Sequence, residues 1–246
     1  MASSSLHPVE SRTGHMAYKK LTIVIPALNE EQGIEKTVRA IPRADIDRIG
    51  YKTQVLVVDN GSTDRTAELA AREGADVVLE PIRGYGSALK RGFSAANGEI
   101  IVTADADATY PLEAIPGLLG VFDRECLDFL TTNRFVSLDK AAMSLQNRLG
   151  NAVLALETRI LFGMNMKEPE SGMWMFRKDI LDKLKLHSNS WPLSHEIKIE
   201  ACYYAGCRWK EVPIQYRPRV GQTKLLNGWR VGFIDLLHIA KKRVVR

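Results

Sequence analysis

Short Val- and Ile-rich runs that alternate with segments of helical period predict an α/β fold, a mostly parallel sheet with helices on its faces. Two further observations agree. The first four apolar runs each give way to a polar loop, as strands of a parallel sheet do when they deliver their loops to one carboxyl edge. A chain of 246 residues, 45% hydrophobic and 26% charged, has the composition of one packed domain, which excludes disordered and fibrous classes.

The first run, 21–25, closes on Pro26, and Ile34, Val38 and Ile41 then recur at helical spacing, so a loop at 27–29 joins strand to helix. The second, 54–58, enters Asp59-Asn60-Gly61-Ser62-Thr63-Asp64, where Ser62 or Thr63 is placed to cap a helix through Leu69. The third, 75–79, meets the loop 83–86 and a helix through Ala95. The fourth, 99–103, runs straight into Ala104-Asp105-Ala106-Asp107. After Pro111 a helix to Phe122 leads to a strand at 127–132 and a long helix at 142–164. On that helix Leu145, Leu149, Val153, Leu156 and Ile160 form one stripe, expected to face the core rather than lipid. Strands at 173–176 and 209–216 bracket a helix at 194–204, and a last helix starts at Asn227.

Residues 1–16 are Ser-rich, aperiodic and end in a second Met, Met16, and read as an expression leader outside the fold. The domain proper is expected over 17–216, with 217–246 as a basic C-terminal segment. That segment holds eight Lys or Arg and one Asp, a net +7 within a chain of net +5. No aromatic-interleaved basic stripe accompanies it, so anionic lipid or phosphate is the expected partner and nucleic acid is not. Glu157, Arg159 and Asp235 interrupt the longest apolar stretches, which excludes a membrane-spanning helix. Cys126, Cys202 and Cys207 lack metal-ligand spacing and fit buried thiols of a reducing, cytoplasmic compartment. Leu226, Trp229, Phe233, Leu236, Leu237, Ala240 and Val244 recur at three- and four-residue spacing before Lys241, Lys242 and Arg243. Such a helix either lies in a membrane interface or packs on the domain, and Trp229 with Phe233 could equally pair with a second copy.

Asp105 and Asp107, one residue apart at a strand end, can both turn toward a hard divalent cation, Mg²⁺ or Mn²⁺, that shares its oxygens with a diphosphate. A second acidic strand end, Asp59, and the loop Pro26-Ala27-Leu28-Asn29-Glu30 belong to the same edge. Gly84-Tyr85-Gly86 opens a helix whose first amides could face a phosphate.

These three loops, Pro26-Ala27-Leu28-Asn29-Glu30, Val57-Val58-Asp59-Asn60-Gly61-Ser62-Thr63-Asp64 and Asp105-Ala106-Asp107, resemble those of the family 2 glycosyltransferases. Asn133-Arg134-Phe135, Asn147-Arg148-Leu149-Gly150-Asn151, Ser171-Gly172-Met173 and the stretch Arg219 to Leu225 narrow the resemblance to dolichyl- or polyprenyl-phosphate mannosyl- and glucosyltransferases. It implies a GT-A (Rossmann-like) fold and inverting transfer of a hexose from a UDP- or GDP-sugar to a lipid phosphate at the cytoplasmic membrane face. By the same resemblance Pro26, Ala27 and Glu30 hold the nucleoside, Asp59 the base or ribose, and Asp105 and Asp107 the metal-bridged diphosphate and sugar. Arg134, Arg148, Ser171, Arg219 and Lys224 then bind donor or acceptor phosphate. Two departures stand out: Thr109 occupies a position where mannosyl members often carry a metal-binding Gln, and the transmembrane hairpins that many members append are missing. A phosphate acceptor is already an anion and needs no strong base. A hydroxyl acceptor needs one, and Glu196 is the candidate, with His195 beside it a structural residue. A soluble-acceptor transferase would keep the same donor loops. A nucleotidyltransferase would need a Gly-rich basic loop after the first strand, and an inactive binding module would not need Asp59, Asp105 and Asp107.

Overall fold

The computed structural model describes residues 18–138, 143–221 and 228–245. The leader expected at 1–16, Leu226 of the C-terminal stripe, and the candidate phosphate ligand Lys224 lie outside the described residues. Seven strands, β1 (Lys19–Ala27), β2 (Tyr51–Asp59), β3 (Asp76–Leu79), β4 (Ile100–Thr103), β5 (Phe129–Leu138), β6 (Trp174–Arg177) and β7 (Trp209–Tyr216), form one sheet of order β3-β2-β1-β4-β6-β5-β7. β1 pairs in parallel with β2 and β4, β2 with β3 and β5 with β7; only β6 runs against its neighbours β4 and β5.

Strand alternation divides the interior in two. Leu21, Ile23 and Ile25 of β1 and Val55 and Val57 of β2 point to a core completed by Ile34 and Val38 of α1 (Ile34–Arg39) and by Ile115, Leu119 and Phe122 of α5 (Ile115–Arg124). Val24, Leu56 and Val58 point the other way, against Ala88, Leu89 and Phe93 of α4 (Tyr85–Ala95) and Ile197 of α7 (Leu193–Ile199). Two short helices complete the first half, α2 (Arg43–Arg48) and α3 (Thr66–Arg72). The six-residue α2 buries only Ile46, so its periodicity is too short to be legible in sequence. The expected helix at 194–204 is α7 continued by a π-helical turn, Glu200–Tyr204.

The long outer helix departs from expectation. Ser144 caps α6 (Leu145–Phe162) by accepting from the Asn147 amide at 3.2 Å, and Gly163 ends it in the left-handed conformation. Its inward residues are Leu154, Thr158 and Phe162, whereas the stripe expected in the core faces solvent, with Leu149 55% and Ile160 71% exposed. The last helix, α8 (Gly228–Val244), for which the sequence left an interfacial and a packed reading open, buries Asp235, Ile239 and Lys242 while Phe233, Ile234 and Leu237 are exposed. The stripe's period was right and its direction was not, because polar partners on α7 already occupy the inner side. Among the described residues no helix is long and apolar enough to cross a membrane. Of the three free cysteines only Cys207 is buried; Cys126 is exposed, on a turn with φ of 50°.

The reversed stripe makes a stability prediction. Leu149→Gln and Ile160→Gln should each shift the unfolding free energy by less than about 0.5 kcal/mol, against about 3–5 kcal/mol for Phe129→Ala in the core, read from urea midpoints. A core-sized loss at Leu149 would return the stripe to the interior.

Candidate active site

Parallel register brings the loops together, since Ala27 lies beside Asp59 and Asp59 beside Leu79 at the strand ends. The Asn60 amide donates to Ala27 O at 2.9 Å, and Asp59 Oδ1 accepts from the Ser62 amide at 3.0 Å. Asn29, at a left-handed φ of 51°, accepts from the Thr63 amide at 2.8 Å and donates its own amide to Ser62 Oγ at 2.9 Å. Ser62 and Thr63 therefore serve the neighbouring loop instead of capping a helix; α3 begins at Thr66, whose amide donates to Asp64 Oδ1 at 3.0 Å. Pro26 and Ala27 end β1 within this lattice, and the Glu30 amide is held by Thr66 Oγ1 at 2.8 Å. Gly84, expected to offer its amide to a phosphate, donates it to Asn60 Oδ1 at 2.8 Å. A Cβ there would come within 2.0 Å of Asn189 O, so glycine is required for packing.

The Asp-Ala-Asp loop is held from several sides. Thr37 Oγ1 of α1 donates to Ala106 O at 2.9 Å and accepts from the Ala108 amide at 3.0 Å, and Ala108 sits at φ 60°. Asp107 Oδ1 accepts from Thr109 Oγ1 at 2.6 Å and from the Thr109 amide at 3.1 Å, so the residue in the family's Gln position orients the carboxylate beside it. Asp107 Oδ2 accepts from Arg219 Nη1 at 2.8 Å, and the other end of that guanidinium pairs with Glu30. The Val220 amide donates to Asp107 O and the Arg217 amide to Thr109 O, which lays the segment after β7 along the loop. Asp105 accepts from Tyr85 Oη at 3.2 Å. Burial, and then the charge of Asp107, raise its pKa to about 7. Gly172 faces it closely, and a Cβ there would lie 3.0 Å from Asp105 Oδ2.

Asp105 and Arg134 line a cleft of about 370 Å³ whose other wall comes from Met143 just before α6 and from α6 and α8 through Leu154, Val231, Phe233 and Leu236. Arg134 is buried, ion-paired with Glu168 and stacked on Tyr216 with its guanidinium carbon 5.0 Å from the ring centre. Tyr85 and Trp191, stacked at 4.6 Å, add an aromatic wall. Two expected residues stand elsewhere. Arg148 is exposed on α6 and does not line the cleft. Ser171 is fully buried with its hydroxyl on Thr132 at 2.7 Å, and because Thr132 donates to Met173 O, Ser171 is the donor of that pair. Glu168, Tyr85, Trp191 and Tyr216 were missed; only Glu168, in the acidic run Glu168-Pro169-Glu170 just before Ser171-Gly172, gave a sequence signal.

Glu196, the candidate base for a hydroxyl acceptor, is fully engaged by its surroundings. It is fully buried, and its carboxylate accepts from Lys242 Nζ at 2.8 Å and from the Ser188 and His187 amides at 2.9 and 3.1 Å, with His238 Nε2 3.4 Å away. Burial pushes its pKa up, but His238, Lys242 and the two amides outweigh this and hold it at about 2. Lys242 also reaches Glu200 at 3.0 Å, so this cluster fastens α8 to the domain. A carboxyl whose folded pKa lies below its unfolded one stabilises fully above the unfolded value and loses that contribution as pH falls through the folded one. Glu196→Gln should therefore cost about 2–3 kcal/mol at neutral pH, a deficit that shrinks between about pH 4.5 and pH 2, in urea melts across that range. A deficit independent of pH would contradict the pairing.

Residues 22–185 match the family model described as "Glycosyl transferase family 2". The dolichyl-phosphate hexose transferase of Haloferax volcanii is 34% identical over 208 residues, covering 85% of this chain and 87% of that protein. The dolichol-phosphate mannosyltransferase of Pyrococcus furiosus is 29% identical over 215 residues, 84% of this chain and 59% of that protein. Among solved structures, the glucosyl-3-phosphoglycerate synthase of Mycobacterium tuberculosis, with Mn²⁺, uridine diphosphate and phosphoglyceric acid, superposes with a TM-score of 0.72 at 23% identity, covering 92% of this chain and 78% of that one. The fold is that GT-A arrangement, and with its Asp59 and Asp105-Ala106-Asp107 loops at one sheet edge the chain belongs to the family 2 glycosyltransferases.

Proposed function

We propose that this enzyme moves a hexose from a UDP- or GDP-sugar to a dolichyl or polyprenyl phosphate at a membrane surface, with inversion. The observation that carries the reading is the mixed cleft: acidic and cationic side chains, Asp105 and Arg134, on one wall and the apolar residues of α6 and α8 on the other. A lipid phosphate has that same division between head and tail. The names of the Haloferax and Pyrococcus relatives point the same way.

On the donor side Pro26, Ala27, Glu30 and Asp59 form the rim for the nucleoside, with Asp105 and Asp107 for the diphosphate. Two carboxylates one residue apart, Asp105 raised in pKa first by burial and then by the charge of Asp107, are hard oxygen donors suited to Mg²⁺ or Mn²⁺, and the structural neighbours were crystallised with Mn²⁺ or Mg²⁺. When bound, such a cation supplies charge neutralisation for the departing diphosphate. Arg134, rigid between Glu168 and Tyr216, offers a fixed positive charge to the acceptor phosphate, and Arg219 one to the donor. With the acceptor already anionic no general base is needed, which accords with the engagement of Glu196.

The solvent-facing apolar residues of α6 and α8, ringed by exposed Arg148, Arg159, Lys241 and Arg243, suit the interface of an anionic bilayer at the cytoplasmic face. A water-soluble phosphorylated acceptor is the second reading, favoured by the glucosyl-3-phosphoglycerate synthase neighbour.

Two outcomes are expected. Asp107→Asn should lower metal-dependent turnover by about a hundredfold or more with the circular dichroism spectrum unchanged, and normal turnover would remove Asp107 from the site. Labelled UDP- and GDP-sugars incubated with polyprenyl phosphate in detergent should give a product extracted by organic solvent only when the lipid is present. Product on phosphoglycerate and none on the lipid would transfer the assignment to the second reading.

A further inference from the structure

Within the wall of the cleft, which Glu170 and Asp235 also line, α6, α7, α8 and the loop before β6 each direct a titratable side chain to one point. Glu170, His195 and Asp235 bring a ligand-type atom each within 4.8 Å of one another. His195 is fully buried and Asp235 2% exposed. The separations are 3.3 Å from His195 Nδ1 to Glu170 Oε1 and 3.8 Å to Asp235 Oδ2, close to the spacing of donors that share one metal ion at about 2.0–2.2 Å.

The hydrogen bonds define what His195 presents there. Thr158 Oγ1 donates its only proton to Leu154 O at 2.8 Å, so in its 2.6 Å contact with His195 Nε2 it must accept. Nε2 therefore carries hydrogen and is oriented by a neighbouring oxygen, as the outer nitrogen of a metal-bound imidazole usually is. Nδ1 points into the acidic side with no hydrogen-bond partner of normal geometry, and Glu170 Oε1 and Asp235 Oδ1 are buried without one as well. Glu157 Oε2, from α6, is another such oxygen, and Glu157 feels the charges of His195 and Glu170. Three carboxylates gathered about one imidazole are costly to keep ionised in a buried place unless a cation enters it.

We infer that Glu170, His195 and Asp235 form a binding site for a divalent transition-metal cation, separate from Asp105 and Asp107, that staples α8 and its neighbours to the domain. One imidazole nitrogen with carboxylate oxygens suits Zn²⁺ better than Mg²⁺. In the metal-free state Nδ1 stands between the two carboxylates, 3.3 Å from Glu170 Oε1 and 3.8 Å from Asp235 Oδ2. The site does not rest on the proposed acceptor.

The test uses the full chain stripped with EDTA and redialysed against micromolar Zn²⁺, with bound metal measured by mass spectrometry and melting temperature recorded. The expected result is one Zn²⁺ per chain without nucleotide and a raised melting temperature, both retained in the Asp105→Asn, Asp107→Asn double variant. Asp235→Asn and Glu170→Gln, near-isosteric changes chosen in case His195→Gln does not fold, should weaken Zn²⁺ binding by more than about tenfold and lose the thermal shift. A wild-type chain that takes up no Zn²⁺, or binds it as tightly after Asp235→Asn, overturns the site and leaves the cluster as a protonated histidine between carboxylates. Neither result depends on turnover, so failure here is distinct from failure of the proposed reaction.

Discussion

Parallel register is the constraint from which the rest of the molecule follows. Once β1, β2 and β4 run side by side in the same direction, the loops after them emerge at one edge, and their acidic residues cannot avoid each other. Gathering Glu30, Asp59, Asp105 and Asp107 there is unfavourable in itself. The compensations are visible: the Ser62 amide on Asp59, Thr109 on Asp107, and one guanidinium, Arg219, across Asp107 and Glu30. The first two are local turns of the loops themselves, whereas Arg219 comes from a segment remote in sequence, so the active edge also fixes how the chain folds over itself.

The outer helices obey a different logic. In an ordinary surface helix the apolar face turns inward and burial of each large side chain contributes about 1.5–3 kcal/mol. In α6 and α8 much of that gain is forgone: Leu145, Leu156 and Ile160 face water, as do Phe233 and Leu237, while charges from α8 turn inward to meet Glu196, Glu200 and His195. Ion pairs and a small apolar cluster of Phe162, Met164, Met166 and Ile239 hold these helices in place. An apolar medium on the outside would restore the missing term.

How much was legible in the sequence depended on which force acted. The strands were readable because β-branched runs reflect burial on both faces of a parallel sheet, and Asp105 and Asp107 were readable because they follow one such run directly. The amplitude of the stripe on α6 was readable too, but its sense was not, since a period records which residues share a face and carries no information on what covers that face. Arg148 and Ser171 were misplaced for a related reason: motif membership gives proximity along the chain, whereas Arg148 lies on the outward side of a helix turn and Ser171, in the loop before β6, turns its hydroxyl to Thr132 of β5. Tyr216 and Trp191 were silent because an aromatic residue looks alike in sequence whether it lines a cleft or a core.

The Arg219 bridge has a thermodynamic consequence for ligand binding. Asp107 and Glu30 share an internal positive charge contributed by the chain itself. Any external cation that approaches Asp107 does so in exchange for, or alongside, that guanidinium. The affinity seen from outside is then a difference between two ion pairings, and the released arginine becomes available to whatever anion arrives with the newcomer. Cation and anion are coupled through one side chain: each lowers the free energy of admitting the other, and by linkage the coupling is equal in both directions.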